Sequence, residues 1–339
     1  MKKKNGIVSI IKFIYCIIII VMHFGLPSTY GEYLFEGGYL YVDFFFVLQG
    51  FYLIKDWNFK EESAYQYSMK YMKGRIKRFG PCALFASLMM LFLQIFATNG
   101  FEEVVELGRA FLGQITFMSQ FFSFLSLGRG GILWFLSASV ICGTIAVFMC
   151  RLMGENFILL AMVIISILTN DLYASNGNLD TWYKVTGGNT VLTSLERAMV
   201  GILVGVVARC IARCMEKVKI RKWVRSVEVT ILLLLIICSF MVTLFWAHSV
   251  IDFYMLWAFA IMLIFIYDLD VQNFKITDWF DELCMPMYIF QVCSFIIVSK
   301  IMTKDLFGCL AAIFVDFVFS ICWIKFLSKI NIGCIILEK

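Results

Sequence analysis

A chain of 339 residues, 61% hydrophobic and only 16% charged, with a mean hydropathy of +0.87, is too apolar for a water-soluble domain and reads as a polytopic membrane protein. Its formal net charge of +5 does not mark a nucleic-acid binder. The lipid bilayer is the partner this composition requires. No internal repeat, low-complexity tract or Pro-rich linker divides the chain, so a single transmembrane domain over 1–339 is expected.

Apolar runs of about 20 residues, enough to cross roughly 30 Å of hydrocarbon, fall near 7–25, 38–55, 80–98, 132–150, 156–174, 194–211, 228–246, 250–267, 283–300 and 306–327. These make ten spans. The period-2 alternation of a barrel is absent, so the fold class is an all-α bundle. The first run follows Lys2, Lys3 and Lys4, but no small-residue cleavage site follows Gly25, and it reads as a retained helix. Three connections are long: 56–79, 99–131 and 175–193. The first, with its mixed Tyr, Met, Lys and Arg, reads as an amphipathic helix along the inner surface. Within the second, 104–127 reads as an interfacial or re-entrant piece.

With the amino terminus inside, twenty-two of the 29 Lys and Arg fall in inner segments or at the inner ends of spans and five in outer segments or at outer ends, while Lys12 and Arg197 lie deeper within spans. Both termini are therefore expected in the cytoplasm. Most of the 12 cysteines lie in apolar runs, as at Cys16, Cys142, Cys238, Cys293 and Cys322, and read as buried small hydrophobes. Cys210 and Cys214 share a helix face, but no third ligand is near in sequence, so no metal is expected.

Ionisable groups at membrane depth are costly and point to function, with snorkelling near helix ends as the ordinary alternative. Lys12 and His23 are eleven residues apart, about 1100° of helix, so they share a face some 16 Å apart along the axis. Asp43 follows a short loop into the second span at a similar expected depth. An Asp accepting from one imidazole nitrogen would fix the tautomer of His23 and leave the other nitrogen as a general base. Gly50, on nearly the same face as Asp43, would allow close approach of a backbone or ligand. Arg75 and Arg78 are an i, i+3 pair just before Pro81, where a new helix is expected to begin. Two guanidiniums beside a helix amino terminus suit phosphate, although positive-inside bias would also place arginines there.

These residues, taken together, resemble the acyltransferase family 3 of bacterial inner-membrane proteins. The resemblance rests on Lys12, ten residues and then His23; on "VDFFFVLQGF" from Val42 to Phe51; and on R-x-x-R at Arg75 and Arg78 followed by Pro81. "LWFLSA" around Trp134, "ERAMVGILVG" around Arg197 and "MPMYIFQ" ending at Gln291 support it. It implies a ten-helix O-acyltransferase that takes an acyl group, usually acetyl from cytosolic acetyl-CoA, to a hydroxyl of a glycan or lipid-linked sugar outside. It implies that His23 is the catalytic histidine and that Arg75 and Arg78 handle the nucleotide end of the donor; the helix spacing adds the expectation of Asp43 beside His23 and of Lys12 on the donor's path, and Trp134 and Arg197 are expected toward the substrate. Three positions depart from the family pattern: Gln49 stands for Ser, Lys12 for Arg, and Gln291 for a late His. A carrier or flippase for a lipid-linked glycan, or a noncatalytic membrane partner, would use the same buried charges differently. A homo-oligomer is compatible with everything in the sequence.

Overall fold

The computed structural model describes residues 5–28, 32–53, 63–95, 101–116, 133–180, 193–215, 222–269, 271 and 274–329. Lys2 to Lys4, Lys339 and the larger parts of the expected outer segments 99–131 and 175–193 lie outside the described residues. The helices are α1 (Gly6–Phe24), α2 (Leu40–Phe51), α3 (Ala64–Ile95), α4 (Phe101–Ile115), α5 (Trp134–Met153), α6 (Phe157–Asn176), α7 (Thr193–Met215), α8 (Lys222–Phe245), α9 (Ile251–Leu269), α10 (Lys275–Val298) and α11 (Leu306–Lys329). There is no strand among the described residues. The fold is an all-α polytopic bundle, as the absence of period-2 patterning requires.

Among the described residues, eight stretches are long and apolar enough to cross a membrane. One of them, Trp134–Asn176, comprises both α5 and α6, which divide at Gly154, where φ is 59°. The expected second span is shorter than its apolar run suggested. A single 3-10 turn, Glu36–Tyr39, precedes it and α2 ends at Phe51, so its twelve residues rise only about 18 Å. Nearly every α2 side chain is buried, which explains why a short helix can carry an uninterrupted apolar sequence. Of the expected interfacial or re-entrant piece 104–127, residues 117–127 lie outside the described residues and the start falls in α4, whose Glu102, Glu103 and Glu106 are exposed while Leu107 is buried.

The clearest departure is at Pro81. It lies inside α3, which runs unbroken for 32 residues, so no helix begins there and the inner-surface segment is continuous with the span. Membrane helices tolerate proline because its cost is the one N–H that would otherwise bond the carbonyl four residues earlier. Two of the cysteines expected to be buried, Cys238 and Cys322, instead lie on exposed helix faces, whereas Cys16, Cys142 and Cys293 are buried.

Two close helix pairs set the frame. Gly50, Gly201 and Gly205 let α2 and α7 pack backbone to backbone: a Cβ on Gly50 would overlap the Ile202 carbonyl, and one on Gly205 the Val47 carbonyl. Contacts rise together along the two helices, from Asp43 with Arg197 to Phe51 with Gly205, so α2 and α7 run in the same direction. Likewise α1 and α10 run together, with Lys12 ion-paired to Asp281, the Cys16 thiol donating to the Cys284 carbonyl at 3.2 Å, and His23 meeting Gln291. These directions match the alternation of the ten-span reading. Asn5 caps α1, accepting from Ile7 N–H at 3.0 Å, and donates to the Ile266 carbonyl at 2.8 Å, which ties the start of α1 to the end of α9.

Candidate active site

His23 sits in the last turn of α1, whose left-handed C-cap is Gly25 with φ 71°. On the helix wheel it lies nine residues, about half a turn past two full turns, from the exposed Ile14, and so faces away from the lipid-facing side. It continues the stripe of Lys12 and Cys16 toward α10, yet its side chain is exposed. The ring therefore lies exposed at the last turn of α1, on the side that meets α10.

Gln291, fully buried, holds it. The amide Nε2 donates to the Tyr288 carbonyl at 2.8 Å, which turns Oε1 toward His23 Nδ1 at 3.2 Å. An amide oxygen can only accept, so Nδ1 carries the imidazole proton and Nε2 keeps a free lone pair. This is the tautomer a general base needs, and the side chain that faces Nδ1 is a neutral amide.

Asp43, expected to do this, is elsewhere. Its carboxylate takes a bidentate fork from Arg197, Nε to Oδ1 at 2.8 Å and Nη2 to Oδ2 at 2.7 Å, while Nη2 also donates to the Tyr39 carbonyl at 2.8 Å. The expected His23–Asp43 hydrogen bond is not formed, for two physical reasons. First, Asp43 shares the face of Val47 and Gly50, which packs on α7. Second, the turn before α2 packs on Ile18 and Met22 through Gly38, and Tyr41 stacks on Tyr15 at 3.8 Å. That register puts Asp43 near the level of Tyr15, about 12 Å along α1 from His23. Trp134 and Tyr39 flank the guanidinium, with ring centroids 5.5 and 5.6 Å from Arg197 Cζ. Asp43, Arg197, Trp134 and Tyr39 thus form one buried cluster that joins α2, α5 and α7.

The second histidine belongs to a clamp beyond that cluster. Tyr39 Oη donates to Asp252 Oδ2 at 2.7 Å and accepts from the His248 backbone N–H at 2.7 Å, while Asp252 also accepts from Leu179 N–H at 3.0 Å. The His248 ring stacks on Tyr39 and lies 3.4 Å from Glu36 and 3.6 Å from Asp180. These bonds gather the loops at 36–39, 178–180 and 246–252 at one end of the bundle.

Arg75 and Arg78 lie at the opposite end from this clamp. Arg75 is half-buried and Arg78 exposed. Arg75 Nε donates to Tyr71 Oη at 3.1 Å, and its Cζ lies 5.1 Å from the Tyr71 ring and 5.6 Å from that of Phe79. Tyr71 in turn meets Gln49 of α2. The helix-terminus component of the expected phosphate site is lost with the unbroken α3, and the guanidinium pair remains. Lys12 is committed to Asp281, so it is less free for a donor than the sequence suggested. Arg151 and Arg209 stack on Tyr67 and Tyr267 at 3.7 and 4.1 Å, placing further guanidiniums on the same side.

The bundle thus carries His23 at one end and a group of guanidiniums at the other. The chain belongs to the acyltransferase family 3, whose acyltransferase domain it matches over residues 5–327. It is a multi-pass membrane acyltransferase. No curated protein and no solved structure matches it.

Proposed function

We propose that this protein, as one acyltransferase domain in a bacterial cytoplasmic membrane, carries an acyl group, acetyl in the first instance, from cytosolic acetyl-CoA to a hydroxyl of a surface or lipid-linked polysaccharide. The observation that carries the reading is His23: an exposed imidazole whose Nδ1 faces the Gln291 amide oxygen, so that the lone pair falls to Nε2, at the end of α1 remote from the guanidinium side. His23 Nε2 takes the proton of the acceptor hydroxyl as its oxygen attacks the thioester carbonyl. The C–S bond then breaks, the thiolate leaves, and the imidazolium returns the proton to sulfur. Arg75 and Arg78 hold the donor phosphates on the cytoplasmic side, the side the basic residues assign.

Asp43 acts in this scheme through the fold. Its bidentate pair with Arg197 locks α2 to α7 and keeps the bundle's centre closed. Family membership favours acyl transfer over a carrier, which would have no use for a fixed-tautomer base at one mouth. Mass spectrometry of surface glycans from cells with and without the protein tests the proposal. Acyl groups that disappear with the protein, and return with the wild type and not with His23→Ala, are expected. Identical glycans in both cells would overturn it.

A further inference from the structure

Gln49, 7% exposed, stands where α2, α3 and α5 meet. Its Nε2 donates to the Ser139 carbonyl at 2.8 Å and to Tyr71 Oη at 2.9 Å, and its Oε1 accepts from Ser139 Oγ at 2.5 Å. A backbone carbonyl only accepts, so the amide cannot be flipped, and both of its N–H groups are used. Arg75 Nε donates to the same phenol oxygen at 3.1 Å. A phenol oxygen carries two lone pairs and one proton. Gln49 and Arg75 engage both lone pairs, so the Tyr71 proton can only be donated onward. Space for this arrangement comes from Gly143, where a Cβ would overlap Gln49 Nε2 and stand 2.7 Å from Tyr71 Oη.

We infer that Tyr71 is a further ligand of the donor's phosphate groups, giving its hydroxyl proton beside the Arg75 guanidinium, and that Gln49 is the positioning residue that turns it. The inference rests on the acyl-CoA reading above. Arg75 keeps its Nη1 and Nη2 donors after giving Nε–H to Tyr71. The group best matched to a guanidinium and a phenol O–H together is an anion with several acceptor oxygens; a lone carbonyl uses one of them and a cation is repelled. The device also gives Gln49 a purpose. A residue as short as Ser on α2 does not span the gap to Tyr71 on α3 while holding Ser139 on α5.

The test is equilibrium binding of two probes to the purified full-length chain: acetyl-CoA, and acetyl-pantetheine, which lacks the phosphates. Tyr71→Phe is expected to weaken acetyl-CoA binding roughly tenfold, the size of a lost hydrogen bond to a charged group, and to leave acetyl-pantetheine unchanged. Gln49→Ala should weaken acetyl-CoA several-fold in the wild type and add nothing in the Tyr71→Phe background, because residues that act through one another are non-additive. Should Tyr71→Phe not fold, Gly143→Ala crowds the same pair from α5 and gives the same two-probe comparison. Equal losses for both probes, or wild-type acetyl-CoA affinity in Tyr71→Phe, would overturn the inference. Arg75→Lys and Arg78→Lys separate the two layers: if both of these also bind acetyl-CoA normally, the donor reading falls as well, whereas weakened binding in either with unchanged binding in Tyr71→Phe sinks this inference alone.

Discussion

Replacing Asp43 with Asn removes one charge from a pair that is 2% and 1% exposed. The Arg197 fork loses one of its two oxygen acceptors and faces an amide N–H instead, so the guanidinium stays buried with its charge uncompensated. Breaking a buried pair from one side costs about 3–5 kcal/mol, a large share of the roughly 5–15 kcal/mol that holds a fold together. At about 2 °C per kcal/mol for a chain of this size, the midpoint of thermal unfolding should fall by about 6–10 °C. The assay is the fraction of monodisperse protein in detergent after heating. Asp43→Leu with Arg197→Met, which removes both charges and keeps apolar volume, should recover most of the loss, because an absent pair leaves nothing uncompensated. A catalytic dyad makes the opposite forecast: an unchanged midpoint for Asp43→Asn, a depressed turnover, and no rescue by the double change. That pattern would refute the structural role.

Gly205→Ala should cost at least about 1–3 kcal/mol, as overpacking does, since its Cβ would overlap the Val47 carbonyl; a wild-type unfolding midpoint would show that α2 and α7 are not packed this closely. Asn178→Cys in a cysteine-depleted background should react with an impermeant thiol reagent on intact cells, as an outer position requires, and labelling only after permeabilisation would invert the topology. Arg75→Lys and Arg78→Lys keep the charge and lose the planar fork, so each should weaken acetyl-CoA binding with folding intact, and unchanged affinity in both would leave the arginines a purely topological role.

Much of the site was legible because helix periodicity is strong. The eleven-residue spacing put Lys12 and His23 on one stripe, and that stripe does face a polar partner at each end, Asp281 and Gln291. Periodicity gives a face, however, and not the neighbour that face meets. The Asp43–His23 dyad assumed that helices joined by a short loop stay in register from their shared end, and the turn at Glu36–Tyr39 shifts α2 by enough to defeat it. Arg197 carried part of the missing signal, since a buried guanidinium needs a buried carboxylate, but Asp171, Asp252 and Asp316 lie in apolar runs as Asp43 does, and only the packing of α2 on α7 selects Asp43. Gln291 was visible as a departure from the family pattern, but its role emerges only when Tyr288 fixes which way its amide points. Pro81 misled because the rule that proline starts a helix comes from water, where a broken hydrogen bond finds solvent; in a bundle the helix continues.

The central claim is that acyl moves from a thioester on the guanidinium side to a hydroxyl at His23. Its most direct measurement supplies acetyl-CoA labelled in the acetyl group to inside-out membrane vesicles that contain the protein and follows label into the glycan fraction within. Wild-type vesicles should accumulate label, and His23→Ala vesicles with equal amounts of folded protein should accumulate none above protein-free vesicles. Label transferred by His23→Ala at near the wild-type rate would contradict the account.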